Sequence, residues 1–321
     1  MIQLAEFLHY STIALAVGIN AIGVGIGQGL TSSAALTAMN QQPNARTDIN
    51  KVAILGMALI ETSAIMGAFV ALILLLGGES GGISNYVGLA ELGIAFAICL
   101  PGLVLGIVSS FPAQAACTAI ARQPFFSQKI LRFMLITQSL IQTPIIFGLI
   151  IALFIKGQSI HAQTLRESLR LIGSGLCIGL GSIGPAIGLA KFAQEACYSI
   201  GINPKEYNKI LSFTFISEAI IETPIIFSLV ISMSLLFLVA QGVSENVLDG
   251  IVLFSAGLCT GMGTLGPGMS SGRIASSACH QIALNPAMYS VISRLSMVGQ
   301  GLIETCAIYA ILISFLLLFF R

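Results

Sequence analysis

Charged residues are scarce in this chain. Only 8% of its 321 residues are Asp, Glu, Lys or Arg and 56% are hydrophobic, whereas about a quarter of a soluble domain is charged. So little charge argues against an ordinary water-facing domain, and a formal net charge of +1 argues against a nucleic-acid partner. We therefore expect lipid to be the solvent for most of the chain, which predicts an integral membrane protein.

Other common features are absent as well. No Lys or Arg precedes Arg46, so the basic start of a cleaved signal peptide is missing, and we expect the first apolar run to be retained as a helix. The seven cysteines lie singly in apolar runs without a Cys-x-x-Cys motif, which predicts buried thiols rather than disulfides or metal ligands. We find no nucleophile–base set and no phosphate-binding loop. The sequence thus predicts no cofactor and no catalysis by the chain alone.

Long apolar segments are what the sequence has instead. Each is longer than the roughly 20 residues that a helix needs to cross a bilayer. This predicts an all-α membrane protein with eight transmembrane helices, at approximately residues 11–39, 52–76, 88–120, 130–155, 169–200, 208–240, 248–282 and 290–320.

A single polar position recurs inside the apolar helices and divides the chain into four repeats. It holds Glu61, Gln142, Glu222 and Glu304, at spacings of 81, 80 and 82 residues. In each repeat it follows a loop proline by 18 residues. Because proline ends a helix, each repeat is predicted to be a helical hairpin, with boundaries at 1–80, 81–160, 161–243 and 244–321. The four hairpins are expected to share one orientation and to form part of a closed ring.

The charges in the loops predict the orientation in the membrane. The loops inside the repeats are basic, whereas two links between repeats are Gly/Ser-rich or acidic, so the positive-inside rule places the proline loops in the cytoplasm. One link disagrees, because it is basic on the opposite side: it contains Lys156, His161, Arg166 and Arg170.

Glycines alternate along the first helix of the first hairpin. Gly23 and Gly27 form one ridge, and Gly25 and Gly29 form another on nearly the opposite side. Small residues let helix backbones approach closely in a membrane. A helix that needs close neighbours on two opposite sides is expected in a row or ring of similar helices.

The mid-membrane carboxylates are the candidate functional groups. A charged carboxylate at this depth is costly, so the neutral or cation-neutralised form is the one that can face lipid. Glu61, Glu222 and Glu304 are therefore predicted to carry single monovalent cations. A structural glutamate that is satisfied by hydrogen bonds is the alternative.

These features together resemble the c subunit of F-type ATP synthases, the proteolipid of the membrane rotor. The resemblance rests on the alternating glycines, the loop Ala121-Arg122-Gln123-Pro124 and the mid-helix Glu, and it covers nearly the whole chain four times. It implies a homo-oligomeric ring in lipid that passes H⁺ or Na⁺ to a stator a subunit. It also implies a multi-pass protein of a bacterial or organellar inner membrane. The loops would contact the central stalk on the ATPase-head side, through Arg122, Gln123, Gln42, Asn203 and Asn285.

Two departures from that family leave alternatives open. The ordinary member is one hairpin, whereas four are fused here, and Gln142 replaces a carboxylate, so the second site is predicted to carry no ion. Duplication with a lost carboxylate resembles the proteolipid of V-type ATPases. A secondary transporter built from repeats is a further alternative, which four parallel repeats disfavour because such folds typically use one central site.

The identity of the ion stays open between Na⁺ and H⁺. Similarity to sodium-binding members of the family implies a ligand set of a first-helix Gln, the Glu, the hydroxyl that follows it and a Tyr, and hard oxygen ligands suit Na⁺. The matching residues are Gln28, Ser109 and Ser271 on first helices, with Leu189 as a non-ligand, and Thr62, Thr223, Thr305 and Tyr309 on second helices.

The order of the hairpins would decide which of these residues meet. If each first helix faces the second helix of the preceding hairpin, Leu189 meets Gln142 in one degenerate site, Ser109 pairs with Glu61, and Ser271 with Glu222. Gln28 then meets Glu304 of the next copy. The number of copies in a ring is not predicted.

Overall fold

The computed structural model describes residues 2–77, 84–237 and 246–319. Four 3₁₀ turns, at Pro43–Ala45, Pro124–Phe126, Pro204–Glu206 and Pro286–Met288, join the two arms of each hairpin. The described α-helices are α1 (Ile2–Gln41), α2 (Arg46–Ile60), α3 (Thr62–Leu76), α4 (Asn85–Val108), α5 (Ser110–Arg122), α6 (Ser127–Ile141), α7 (Thr143–Ser159), α8 (Leu165–Ile202), α9 (Tyr207–Phe237), α10 (Val247–Gly263), α11 (Leu265–Leu284) and α12 (Tyr289–Phe319).

The predicted fold class is confirmed. Eight helical spans in the described residues are long and apolar enough to cross a membrane, and they form four hairpins. In each hairpin, the first helical span ends two residues before the loop proline, because proline lacks the N–H that a continuing helix would need. The repeat boundary at 160/161 falls between α7 and α8. The boundaries at 80/81 and 243/244 lie outside the described residues and stay predictions.

The helices pack in two layers. The first helices of the hairpins (α1, α4/α5, α8 and α10/α11) pack side by side in chain order. Each second helix (α2/α3, α6/α7, α9 and α12) packs against the first helix of its own hairpin. Where another hairpin follows, it also packs against that hairpin's first helix. This is the order that the pairing hypothesis assumed.

Glycine makes the contact between first helices possible. A Cβ added at Gly23 or Gly27 would overlap the backbone of hairpin 2, and one at Gly188 would overlap the backbone of Gly268 in hairpin 4. The predicted close approach is therefore confirmed for the Gly23 ridge. Among the described residues, nothing lies within 4 Å of a Cβ added at Gly25 or Gly29, so this part of the chain gives that ridge no neighbour.

A buried ionic cluster ties hairpins 1 and 2 together at the ends away from the proline loops. Glu91 is 1% exposed and accepts from Lys156 Nζ at 2.9 Å. His9 Nδ1 lies 2.5 Å from the other carboxylate oxygen. Nearby, buried Arg170 donates to the carbonyls of Leu235 and Leu236. Lys156 and Arg170 belong to the basic link that disagreed with the predicted membrane orientation. Both thus make their contacts inside the protein.

Replacing Glu91 with Ala is expected to destabilise the chain strongly. Removing one partner of a buried ion pair costs about 3–5 kcal/mol, because the remaining charge is left uncompensated. The unfolding midpoint in a denaturing-detergent titration measures the loss. Glu206→Ala serves as the control, since the Glu206–Lys209 pair is more exposed and such pairs contribute about 0–1 kcal/mol. Equal midpoints for the two variants would contradict the assigned role of the cluster.

Candidate ion-binding sites

The recurring acidic position lies in the middle of each second helix. The helix assignment breaks at Glu61, between α2 and α3, and at Gln142, between α6 and α7, whereas α9 and α12 continue through Glu222 and Glu304. The next residue in every repeat is Thr, whose hydroxyl donates to a carbonyl three or four residues back in its own helix. These bonds join Thr62 to Leu59, Thr143 to Leu140, Thr223 to Ala219 and Thr305 to Leu302.

Each acidic position after the first faces the second helix of the preceding hairpin. Gln142 Nε2 donates to the carbonyl of Leu59 at 3.2 Å. The side chain of Thr143 lies beside the Glu222 carboxylate, and that of Thr223 lies beside Glu304. A site therefore consists of a carboxylate from one hairpin and a threonine from the hairpin before it.

The two carboxylate sites within the chain each contain an oxygen that lacks a partner. Glu222 Oε1 and Glu304 Oε1 are both buried, and neither has a hydrogen-bond partner in the part of the chain that the structure describes. A buried unpaired charge is costly in an apolar environment, so such an oxygen calls for a proton or a bound cation. Carboxylate, hydroxyl and backbone carbonyl are hard oxygen donors, which fit Na⁺ as well as they fit a proton.

The second hairpin satisfies the same position without an ion. Gln142 is 6% exposed, and its amide nitrogen supplies the donor that a protonated carboxyl would offer to the Leu59 carbonyl. An amide is neutral and does not titrate. That this site is degenerate and carries no ion stays a prediction, and Leu189, its predicted partner, is a fully buried apolar residue.

Glu61 differs from the other two carboxylates. It is exposed, whereas Glu222 and Glu304 are partly buried.

The polar first-helix positions mostly bond within their own hairpin. Gln28 Nε2 donates to the carbonyl of Met57 at 3.5 Å, and the Ser109 carbonyl accepts from Gln138. The hypothesised Ser109–Glu61 and Ser271–Glu222 pairs are not among the described hydrogen bonds. Ser271 Oγ is buried without a partner, and Tyr309 is 66% exposed. The ligand roles of these residues stay predictions.

One turn before the acidic position, a second polar layer joins neighbouring hairpins. Gln138 Nε2 donates to the Gly56 carbonyl of hairpin 1 at 2.9 Å, and Gln300 Nε2 contacts Ser217 Oγ of hairpin 3 at 3.4 Å. Glu218 holds this position in hairpin 3. It is 1% exposed, and neither of its oxygens has a partner.

Replacing Glu218 with Gln is expected to leave ion transport within about twofold of wild type and stability equal or higher. The amide matches the residue of repeats 2 and 4, and it removes a buried group whose ionisation would be costly. Transport in reconstituted vesicles and the thermal midpoint in detergent measure the two effects. A loss of transport comparable to that of Glu222→Gln would instead make Glu218 an ion carrier.

The loop residues predicted to meet a stalk lie at one end of the hairpins. Arg122 is exposed, and its guanidinium stacks 4.4 Å from the Tyr198 ring centroid. Asn203 Nδ2 donates to the Ala283 carbonyl, so it ties neighbouring loops together. Gln42 and Gln123 are half-buried, and Asn285 is exposed. The sequence analysis missed Phe125, a fully exposed aromatic residue in the same loop as Gln123; an apolar ring in a short polar turn was the available signal.

Four helical hairpins repeat in one orientation, each with a carboxylate or an amide in the middle of its second helix, and this arrangement defines the chain as a multi-hairpin membrane proteolipid. Comparison with known sequences agrees with this class of protein. The family model that describes the C subunit of ATP synthase matches residues 12–74, 92–155, 172–235 and 254–317. The chain belongs to this family of ATP synthase C subunits.

Three of the similar proteins each match between a fifth and a quarter of this chain. The ATP synthase c subunit of Chloroflexus aurantiacus is 39% identical over 79 residues, which are 25% of this chain and 99% of the relative. The ATP synthase c subunit of Thermotoga petrophila is 38% identical over 63 residues, 20% of this chain and 74% of the relative. The chloroplastic ATP synthase c subunit of Phaeodactylum tricornutum is 42% identical over 67 residues, which are 21% of this chain and 82% of the relative.

Proposed function

We propose that this chain is the rotor subunit of a rotary ATP synthase or ATPase and carries monovalent cations across the membrane on Glu61, Glu222 and Glu304. The observation that carries the proposal is the pair of buried carboxylate oxygens without partners, each in a site that includes a threonine of the preceding hairpin. The chain itself is not catalytic. ATP chemistry belongs to the attached head.

The proposed mechanism of rotation follows from the cost of placing a charged carboxylate in lipid. A Glu that has bound H⁺ or Na⁺ is neutral and can pass through the lipid-facing part of a rotation. Once the ion leaves, the charged carboxylate is excluded from lipid, so it stays beside a cationic or aqueous site on a stator a subunit. Alternating occupancy at two such exits converts ion flow into rotation, or ATP-driven rotation into ion flow.

The exposed residues at the loop end and on the second helices indicate which partners contact each surface of the hairpins. The polar loops carry exposed Arg122 and Phe125, which suit a protein surface of mixed charge and apolar character, so we assign the central stalk to this end. The positive-inside rule places these loops on the cytoplasmic or ATPase-head side of a bacterial or organellar inner membrane. The exposed apolar side chains of the second helices suit lipid and the stator.

ATP-driven ion uptake tests the proposed function. The complete complex would be reconstituted into vesicles, and uptake of ²²Na⁺ and luminal acidification would be followed after ATP addition. The triple variant Glu61→Gln/Glu222→Gln/Glu304→Gln is expected to show neither signal, whereas Glu6→Gln, which alters an exposed carboxylate near the N-terminus of α1, keeps wild-type uptake. Undiminished uptake by the triple variant would refute the proposal.

Sodium protection distinguishes the two ions. Both bind the same oxygens, but only a sodium site changes its occupancy with Na⁺ at constant pH. If Na⁺ slows carbodiimide modification of the three glutamates, the rotor is coupled to Na⁺. Modification that depends on pH alone identifies proton sites.

A further inference from the structure

The basic link between hairpins 2 and 3 contains a buried cation that no described residue neutralises. Arg166, in the first turn of α8, is 6% exposed. Its Nε and Nη2 atoms are buried, and neither has a hydrogen-bond partner in the residues that the structure describes. The four ion pairs among those residues do not include Arg166. Buried polar groups are normally hydrogen-bonded and buried charges are normally paired, so this guanidinium calls for an anion.

Arg170, one turn further along α8, adds a second buried positive charge. It is also 6% exposed, and its hydrogen-bond partners are neutral: the carbonyls of Leu235 and Leu236 and the side chain of Gln158. Residues four apart share one face of a helix, where like charges repel. Two buried guanidinium groups therefore lie on one face of α8, and no carboxylate of residues 2–77, 84–237 or 246–319 pairs with either of them.

Hairpins 1 and 2 have a carboxylate at the same level of the bundle. His9 in hairpin 1 and Arg170 in hairpin 3 hold one repeat position, and Glu91 in hairpin 2 and Leu253 in hairpin 4 hold the next one. Between hairpins 1 and 2, His9 contacts Glu91. Leu253 is a fully buried apolar residue instead. Hairpins 3 and 4 thus repeat the cation of the buried cluster without repeating its anion.

Backbone contacts bring Leu253 close to the same stretch of α8. A Cβ added at Gly250 would lie 2.9 Å from the Cα atom of Arg166, and one at Gly173 would lie 3.3 Å from the carbonyl oxygen of Leu253. Arg170 lies between Arg166 and Gly173 along α8. A carboxylate at position 253 would therefore meet the two arginines, as Glu91 meets its partners between hairpins 1 and 2.

The first turn of α8 adds backbone donors to the two guanidinium groups. Thr164 and Glu167 form a capping box, in which Glu167 N donates to Thr164 Oγ1 and Glu167 Oε2 accepts from the N–H groups of Gln163 and Thr164. The N–H groups of Leu165 and Arg166 take no part in these bonds. Free N–H groups and the helix dipole favour an anion at a helix N-terminus. The Cα–Cβ bonds of a helix tilt towards that end, so the Arg166 side chain starts in the same direction.

The depth of Arg166 matches that of lipid headgroups. Arg170 donates to the carbonyl of Leu236, and the next residue, Phe237, is 48% exposed at the end of α9. Arg170 is therefore level with the edge of the apolar belt of the second helices. A helix rises 1.5 Å per residue, so Arg166 lies about 6 Å further from the membrane centre. The headgroup region extends about 5–7 Å beyond the hydrocarbon on each side, and basic pockets between transmembrane helices bind lipid headgroups.

We propose that Arg166, together with Arg170 and the first turn of α8, binds a phosphate group at the membrane surface away from the proline loops. The phosphate supplies the negative charge that Glu91 supplies between hairpins 1 and 2. Its depth assigns it to the headgroup of an anionic phospholipid, and free phosphate is the other source of the same chemistry. The site also gives the basic link, which disagreed with the positive-inside rule, a role in binding. The inference rests on the membrane-spanning fold and not on the proposed ion transport.

Native mass spectrometry of the purified full-length chain, titrated with phosphatidylglycerol in mild detergent, tests the site. Wild type is expected to bind a single phosphatidylglycerol per chain tightly. Arg166→Gln is expected to raise the dissociation constant at least about tenfold, because a hydrogen bond to a charged group contributes that much to binding. Arg46→Gln is the matched control, since it removes the same charge from an exposed position at the loop end. Equal affinities of Arg166→Gln and wild type would overturn the inference.

Inorganic phosphate distinguishes the two sources of the phosphate group. If excess inorganic phosphate leaves the binding of phosphatidylglycerol to wild type unchanged, the occupant is a lipid headgroup. If inorganic phosphate displaces the lipid from wild type, and binds to wild type but not to Arg166→Gln, the site takes free phosphate. Failure of both probes to bind in a way that depends on Arg166 would refute the site.

Leu253→Glu tests the same site while both arginines are kept, and it decides the matter if Arg166→Gln does not match the helicity of wild type. Phosphatidylglycerol is expected to raise the thermal midpoint of wild type, because a ligand that binds the folded state stabilises it. In Leu253→Glu the new carboxylate takes the place of the phosphate, so the lipid is expected to leave the midpoint unchanged. Leu253→Gln, which has the same size without the charge, is the control and keeps the response. An equal rise for Leu253→Glu and wild type would contradict the proposed site.

Discussion

Glu304→Gln is expected to leave ATP-driven ion transport measurable, whereas Glu222→Gln and Glu61→Gln reduce it below about a tenth of the wild-type rate, a barrier increase of at least about 1.4 kcal/mol. The reason is the order of the hairpins around the assembly. Wild type already passes one ion-free hairpin, that of Gln142, between two carriers. Replacing Glu222 or Glu61 puts a second ion-free hairpin beside it. Replacing Glu304 creates another single gap and leaves every carrier within one hairpin of the next.

In the proposed mechanism, ions are exchanged only while a carboxylate lies at the stator, which explains the sensitivity to gap length. When two consecutive hairpins lack one, the rotor must turn through a longer angle without an ion to exchange. ATP-driven uptake into vesicles, normalised to the amount of assembled complex, compares the three single variants. Glu6→Gln controls for loss of a carboxylate elsewhere in the chain. Equal transport by all three variants would contradict the dependence on gap length.

Gln142→Glu is expected to change the coupling ratio rather than abolish transport. It raises the number of carriers per chain from three to four, so one turn moves four-thirds as many ions. The same ATP free energy per turn then supports only about three-quarters of the wild-type ion-motive force at equilibrium, because the work is divided among more ions. In this variant, a protonated carboxyl at position 142 can keep the donation to the Leu59 carbonyl that Gln142 makes now.

The limiting ion gradient at a fixed ratio of ATP to its products measures this change. It is an equilibrium quantity, so it does not depend on how much enzyme each vesicle holds. Gln138→Glu is the matched control, since it introduces a carboxyl one turn away, in the buried polar layer where Gln138 Nε2 donates to the carbonyls of Gly56 and Ser109. An unchanged limit for Gln142→Glu would mean that the second hairpin does not pass through the ion path.

The hairpins and their central polar positions could be predicted from the sequence because both depend on local pattern. Apolar run length and proline position determine where helices end, and the repeat places Gln142 in register with Glu61, Glu222 and Glu304. The threonine that follows each of them was visible for the same reason. Its assignment to the site of the next hairpin was not, because that depends on the register between neighbouring second helices.

The contacts between hairpins were the part that the sequence could not supply. Glu91 meets His9 and Lys156, which are 82 and 65 residues away, and nothing in the local sequence around Glu91 indicates either partner. The three groups also occur only in hairpins 1 and 2, so the repeat pattern gives no guide to them. Packing at the ends of antiparallel helices determines such pairs, and it is known only once the helices are placed.

Carbodiimide modification of the assembled rotor, with the modified residues identified by mass spectrometry and transport followed in parallel, tests most directly whether the mid-membrane carboxylates carry the ion. We predict modification at Glu61, Glu222 and Glu304, none at Glu6, and a loss of transport that follows the modification of these three residues. Modification of all three with transport unchanged would contradict the assignment of these carboxylates as the ion carriers.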